Sequence, residues 1–240
     1  SKALSHLQGV VELRHTLPIL SNVIIKAEDT QLKLSSTNLD ILCSEQISAN
    51  IDINGEISVP AITLHEIVKK LPQGSDIDIS MDENGNSINI KSGRSRFNLS
   101  TLPTDDFPDI SQDDLSVKFV MSVDDLKTMI DKTKFAISNE ESRYYLNGIF
   151  FHSAHKNGID VLRSVATDGH RLAQYDMPLP HGAEKMSGII IPKKTTLELR
   201  RILDDANGDV QIELSSSKVK FVFSEIELVS KVIDLSLIHI

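Results

Sequence analysis

The sequence predicts an α+β protein of two tandem domains, each a duplicated βαβββ unit with two helices on one face and antiparallel sheets on the other. Three observations carry that prediction. A block at residues 59–71 returns 132 positions later at residues 191–203, where Thr63, Glu66, Ile67, Lys69 and Leu71 meet Thr195, Glu198, Leu199, Arg201 and Leu203. Helical signals are confined to four places, and nearly everything between them alternates apolar and polar residues. An acidic, proline-containing stretch, Thr104-Asp105-Asp106-Phe107-Pro108-Asp109, divides the two copies. A repeat this long exceeds the roughly 20 to 50 residues of a solenoid unit, so a whole domain is used twice.

The elements follow in order. Leu4, Leu7, Val10 and Val11 stand at helical spacing and predict a helix over residues 1–16. Pro60 and Pro192 precede helices over 61–71 and 193–203, where the missing N–H of proline costs nothing. Leu126, Met129 and Ile130 predict the remaining helix over 122–134. Among the strands, Ile77, Ile79 and Met81 alternate with Asp76, Asp78 and Ser80, and Ile88 and Ile90 alternate with Asn89 and Lys91. Glu83-Asn84-Gly85-Asn86 predicts the hairpin turn between them, and Asn157-Gly158 predicts one in the second copy. Val210, Ile212 and Leu214, followed by Val219, Phe221 and Phe223, make a further pair. The flanks echo as well: Leu20-Ser21-Asn22-Val23 returns as Leu146-Asn147-Gly148-Ile149, and Ser36-Thr37-Asn38 as Ala166-Thr167-Asp168. The second copy opens with a strand, Val117 to Met121, that the first lacks, and Leu235 to Ile240 resembles nothing in the first copy. Domains are therefore expected at 1–110 and 115–234, with a non-matching tail at 235–240 and a chain clipped at both ends.

Composition narrows the function classes. With 40% hydrophobic and 25% charged residues, the chain reads as a soluble globular protein with domains of ordinary size. No apolar run approaches the ~20 residues of a membrane span, and no secretory leader opens the sequence. A lone Cys43 excludes an internal disulfide framework, fits a reducing compartment and reads as a small buried hydrophobe. The expected location is cytoplasmic. The net charge of −9 conceals segregation: the four predicted helices carry +1, +1, 0 and +3, which leaves −14 on the strands and loops. Such a polarised map can attract a polyanion to one face.

Four stretches carry a resemblance: residues 14–22 around Thr16-Leu17-Pro18-Ile19-Leu20, residues 92–108 around Ser92-Gly93-Arg94-Ser95-Arg96-Phe97, Arg143-Tyr144-Tyr145-Leu146-Asn147-Gly148, and Ala166-Thr167-Asp168-Gly169-His170-Arg171-Leu172. In this order they resemble the bacterial β sliding clamp family, the beta subunit of DNA polymerase III, from about Leu4 to Asp234. The resemblance implies a DNA-clamp fold, and in the family two three-domain protomers close head to tail into a homodimeric ring around duplex DNA. It implies a non-catalytic processivity factor without cofactor or metal. The expected partners are duplex DNA without sequence preference and, through short linear peptides, the polymerase catalytic subunit and clamp loader. Only the first two domains find a match, so this chain is expected not to form the closed ring. Phosphate contacts from lysine and arginine carry no base information, which suits sliding.

The DNA-facing candidates are Arg14, Lys69, Lys70, Lys193, Lys194, Arg200 and Arg201, with Tyr144 and Tyr145 near the DNA path by resemblance. The resemblance also assigns Leu146, Thr167, Gly169, His170, Arg171 and Leu172 to one wall of a peptide pocket. The leucines offer apolar contact there, and Arg171 can hold a carboxylate or carbonyl. Two rivals remain open. Asp168 and His170 could act as an acid–base pair, which turnover by purified protein would reveal. A pure protein-interaction scaffold would lack salt-dependent DNA affinity. No nucleophile motif, metal-ligand spacing or glycine-rich phosphate loop accompanies Asp168 and His170. Asp82-Glu83-Asn84-Gly85-Asn86 lacks the later glutamate of a calcium loop and reads as a turn.

Overall fold

The structure, a computed structural model, describes residues 1–12, 16–82, 84–108, 110 and 115–234, with Glu141 described by its backbone alone. Contacts divide the chain into two units, Ser1–Asp109 and Ile110–Ile240. The predicted Leu235 to Ile240 tail lies outside the described residues.

Unit 2 shows the duplicated motif whole. Its first half runs β8 (Val117–Ser122), α3 (Val123–Thr133), β9 (Gly148–Lys156), β10 (Ile159–Thr167) and β11 (Leu172–Pro178). Its second half runs β12 (Ile189–Pro192), α4 (Lys193–Asp205), β13 (Asp209–Leu214), β14 (Lys218–Phe223) and β15 (Ile226–Lys231). Each half gives its first strand to the other half's sheet: β12 pairs with β9, and β8 pairs with β13, all antiparallel. The exchange binds the two halves into one core, lined by Leu126, Met129 and Ile130 of α3, Leu199 and Ile202 of α4, and Phe221. Hairpin β9–β10 turns on Asn157 and Gly158, both at positive φ (51° and 81°), as a tight two-residue turn requires.

Unit 1 repeats the pattern with α1 (Lys2–Gln8), β1 (Asn22–Glu28), β2 (Gln31–Thr37), β3 (Ile41–Ser48), β4 (Gly55–Pro60), α2 (Ala61–Lys70), β5 (Asp78–Met81), β6 (Ser87–Ser92) and β7 (Ser95–Ser100). Strand β4 joins β1 as β12 joins β9. The second sheet has the order β5-β6-β7. In unit 2 the strand corresponding to β5 is flanked by β8. Here β5 is an edge among the described residues, so Ile79 and Met81 stay exposed while Ile88 and Ile90 of β6 are fully buried.

Two helix boundaries differ from expectation by more than one residue. The first helix stops at Gln8 rather than residue 16. Gly9 and the β-branched pair Val10–Val11 are poor helix formers, yet Val10 is fully buried, so its apolar spacing marked burial without helix. Helix α4 runs on to Asp205. Short 3₁₀ turns occupy Pro18–Ser21, Lys134–Ala136 and Glu141–Leu146, too brief to show an amphipathic period.

Helix α3 starts from a capped end: Ser122 Oγ accepts from the Asp125 N–H at 3.0 Å, and Asp124 and Asp125 occupy the first turn. Ion pairs then hold α3 to α4. Arg200 Nε donates to Asp131 Oδ1 at 2.8 Å, Arg200 Nη1 lies 2.7 Å from Asp204, and Lys127 reaches Asp204 at 2.6 Å. Lys127 and Arg200 hold the Asp204 carboxyl down at about 2. Partial burial raises Asp131, but hydrogen bonds from Arg200 and Lys134 bring it below its ordinary value. On the β-sheet surface, hydrogen bonds from Arg163 and then Lys156 hold Asp176 well below the carboxylate range.

These depressed carboxyls set an acid limit. An unfolded aspartate titrates near ~3.9, so below that pH the unfolded chain takes up protons that the folded chain still refuses. Stability is expected to be fully present above about pH 4 and to fall as the pH drops toward 2. Asp176→Asn should flatten part of that fall. Urea midpoints measured between pH 6 and pH 2.5 check this, and a midpoint independent of pH over that range would refute it.

Candidate functional site

Most of the residues that the sequence assigns to a peptide wall gather around the turn between β10 and β11. Thr167 Oγ1 accepts from the Gly169 N–H at 3.1 Å and donates to the Arg171 carbonyl at 2.7 Å. Asp168 Oδ1 accepts from the His170 and Arg171 N–H groups, both at 3.0 Å, and Arg171 Nε donates to Asp168 Oδ2 at 2.9 Å. The backbone donors of His170 and Arg171 hold the Asp168 carboxyl below its ordinary value. A carboxylate so satisfied is a poor base near neutrality, which weighs against the acid–base reading of Asp168 with His170.

The same turn occurs in unit 1. Thr37 Oγ1 accepts from Leu39 N at 3.2 Å and donates to the Ile41 carbonyl at 2.8 Å, while Asn38 Oδ1 accepts from Asp40 N and Ile41 N. The Thr-Asx turn is therefore part of the fold. What distinguishes unit 2 is what surrounds it. Gly169 sits at φ +89°, with an Arg143 guanidinium nitrogen 3.2 Å from where a Cβ would stand. Leu172, the first residue of β11, is 64% exposed. Leu146 is half-buried at the end of the 3₁₀ turn, and His170 is exposed.

Two residues that sequence reasoning did not assign join this wall. Arg143 is one, placed against Gly169. Phe135 is the other: it is 56% exposed, and the Arg171 guanidinium lies 5.7 Å from its ring centroid, within cation–π range. A lone phenylalanine just past a helix carries no sequence signal, and only the pairing with Arg171 reveals it. The site thus presents apolar surface from Phe135, Leu146 and Leu172 beside two guanidinium groups.

The basic candidates have more varied surroundings. Lys69 and Lys70 are exposed in the last turn of α2, where the helix dipole favours cations. Lys193 and Lys194 open α4, where it disfavours them, and no acidic residue relieves that turn. Lys193 also meets the loop bearing Tyr144 and Tyr145: its N–H donates to the Asn147 carbonyl at 2.8 Å, and its Nζ donates to Asn139 Oδ1. Tyr144 and Tyr145 are exposed and pack edge-on, with centroids 5.9 Å apart. Arg200 has only 17% of its side chain exposed, bound to Asp131 and Asp204, and Arg201 pairs with Glu198 at 2.6 Å. Arg14 lies outside the described residues. With the observed boundaries, α1 to α4 carry +1, +1, −1 and +1. The helical excess is thus +2 rather than +5: Asp204 and Asp205 belong to α4, Glu12 and Lys134 fall outside the α-helices, and Arg14, outside the described residues, is not counted. The positive charge is concentrated at helix ends.

Among the described residues no group of three His, Cys, Asp or Glu side chains could hold a metal ion, and no helix is long and apolar enough to cross a membrane.

Comparison with known proteins agrees with this geometry along nearly the whole chain. Residues 1–111 match the family model of the DNA polymerase III beta subunit N-terminal domain, and residues 120–237 match that of its central domain. The beta sliding clamp of Caulobacter vibrioides (strain NA1000 / CB15N) is 48% identical over 233 residues, which cover 97% of this chain and 63% of that protein. The crystal structure of a DNA polymerase sliding clamp from Caulobacter crescentus superposes with a TM-score of 0.93 at 48% identity, covering 97% of this chain and 63% of that one. A sliding clamp from Bartonella birtlesii bound to griselimycin gives 0.93 at 46% identity, with 97% and 62% covered. The chain spans about 63% of the length of the curated relatives it matches.

Proposed function

The chain belongs to the DNA polymerase III beta subunit family, and on that footing we propose that it acts in a sliding clamp: a non-catalytic, cytoplasmic processivity factor that rides on duplex DNA and tethers a polymerase through short peptides. The observation that carries the DNA half is the start of α4. Two lysines stand where the helix dipole is already positive, beside Tyr144 and Tyr145. Cations there cost folding stability, while the same concentration of positive charge attracts phosphate. A local rule is broken where binding is needed. Lysine contacts of this kind go to the phosphate backbone and carry no base information, so the contact is free of sequence preference.

Arg200 and Arg201 contribute less directly in this reading. Their guanidinium groups fix α4 against α3 and within its own turn, and so position Lys193 and Lys194. Duplex DNA should bind weakly, with log K falling by roughly 0.9 for each phosphate neutralised per unit of log salt. Lys193→Glu combined with Lys194→Glu should flatten that slope by roughly 2 and weaken all duplex sequences alike. A slope unchanged by the double reversal would place DNA elsewhere.

A further inference from the structure

The internal repeat sets a counterpart in unit 1 beside the candidate site of unit 2. Leu20 stands two residues before β1 as Leu146 stands two before β9, and the two Thr-Asx turns share their hydrogen bonds. Position 39 therefore corresponds to position 169. Unit 2 has Gly169 there, whereas unit 1 has Leu39 at φ +78°. Leucine in the left-handed region is strained, and such strain persists only where surrounding structure enforces it. The surrounding structure is visible: Leu39 and Phe107 each pack against the cluster of Ile19, Leu20 and Ile24. Leu20 is fully buried as a result, while Leu146 is not.

Phe107 belongs to the stretch Thr104-Asp105-Asp106-Phe107-Pro108, closed by a Phe107 N–H bond to the Thr104 carbonyl at 2.9 Å. Its ring turns inward while Asp105 and Asp106 remain exposed. We infer that unit 1 contains a second copy of the peptide site, occupied by the chain's own acidic–aromatic segment. The inference rests on the peptide reading of unit 2. The charges agree. Where unit 1 has Leu17 and Ile41, unit 2 has Arg143 and Arg171, two guanidinium groups suited to the carboxylates that unit 1 leaves in solvent.

The test uses the full 240-residue chain and the capped peptide Thr-Asp-Asp-Phe-Pro. Leu172→Asp silences unit 2, so unit 1 can be read alone. In that background the otherwise native chain should bind no peptide, whereas adding Leu39→Gly and Phe107→Ala should create one equivalent of binding by calorimetry. Glycine suits the positive φ at position 39, so that change relieves strain. Should the combined variant melt, Phe107→Ala alone supplies the measurement: excess peptide should raise its melting temperature and restore the methyl shifts of Leu20 and Ile24. A folded plug-free variant that takes up no peptide would overturn the inference. The native chain, with Leu172 intact, should bind one equivalent. Loss of that binding alone would instead sink the peptide reading of unit 2.

Discussion

Leu172→Asp is expected to weaken peptide binding about a thousandfold without disturbing the fold. The leucine projects from the first position of β11 and is already mostly in water, so an aspartate costs the free protein little. In the complex the change acts twice. It removes an apolar contact worth about 1.5 kcal/mol or more, and it sets a charge without a partner against an apolar ligand side chain, at about 2 to 3 kcal/mol. Together these reach about 4 kcal/mol, or roughly three orders of magnitude in Kd. Fluorescence anisotropy with a labelled leucine-containing acidic peptide measures the loss, and an unchanged far-UV spectrum shows that the fold persists. His170→Ala in the same assay should abolish no reaction. A hydrolytic activity that disappears with His170→Ala would restore the enzymatic rival.

Gly148→Ala should cost about 3 kcal/mol of stability, the upper end of what an inserted methyl group produces in a packed interior. The added Cβ would press into the Ile191 carbonyl oxygen and stand 2.7 Å from Ile190 Cγ2. Both belong to β12, the partner of β9 across the Gly148–Pro192 pair. The two strands must part to admit the methyl, and the parting disturbs Pro192, from which α4 begins. DNA affinity should therefore fall along with stability. Gly55→Ala provides the contrast: nothing lies within 4 Å of its added Cβ, so the change should be close to neutral. Urea denaturation of the two variants beside the parent decides the matter. Equal midpoints for all three would show that β9 and β12 have room to relax.

Much of the fold was legible because it rests on short-range rules applied twice. Prolines ahead of α2 and α4, period-two alternation, and positive-φ residues in the turns each depend on neighbours a few positions apart. The repeat then certified them by showing them again. The α1 boundary escaped because Val10 is buried for tertiary reasons in a segment that no longer has helical backbone. The Thr-Asx turn was legible as a motif, but its presence in both units shows that the turn itself is architecture.

The sequence by itself determined the duplication, the element types, the family, and the residue types available at the two candidate surfaces. Only the tertiary structure decided which of those residues are at liberty to bind. Arg200 reads as a free cation until Asp131, 69 positions away, takes its Nε. Phe135 reads as an ordinary apolar residue until Arg171 is placed over its ring. Leu39 and Gly169 look like an unremarkable difference between copies until Leu39 and Phe107 are seen packed against the Ile19, Leu20 and Ile24 cluster. The physical reason is common to all three. Charge pairing and apolar coverage act through space over a few ångströms, and the chain brings those partners together from distances along the sequence that no local pattern records.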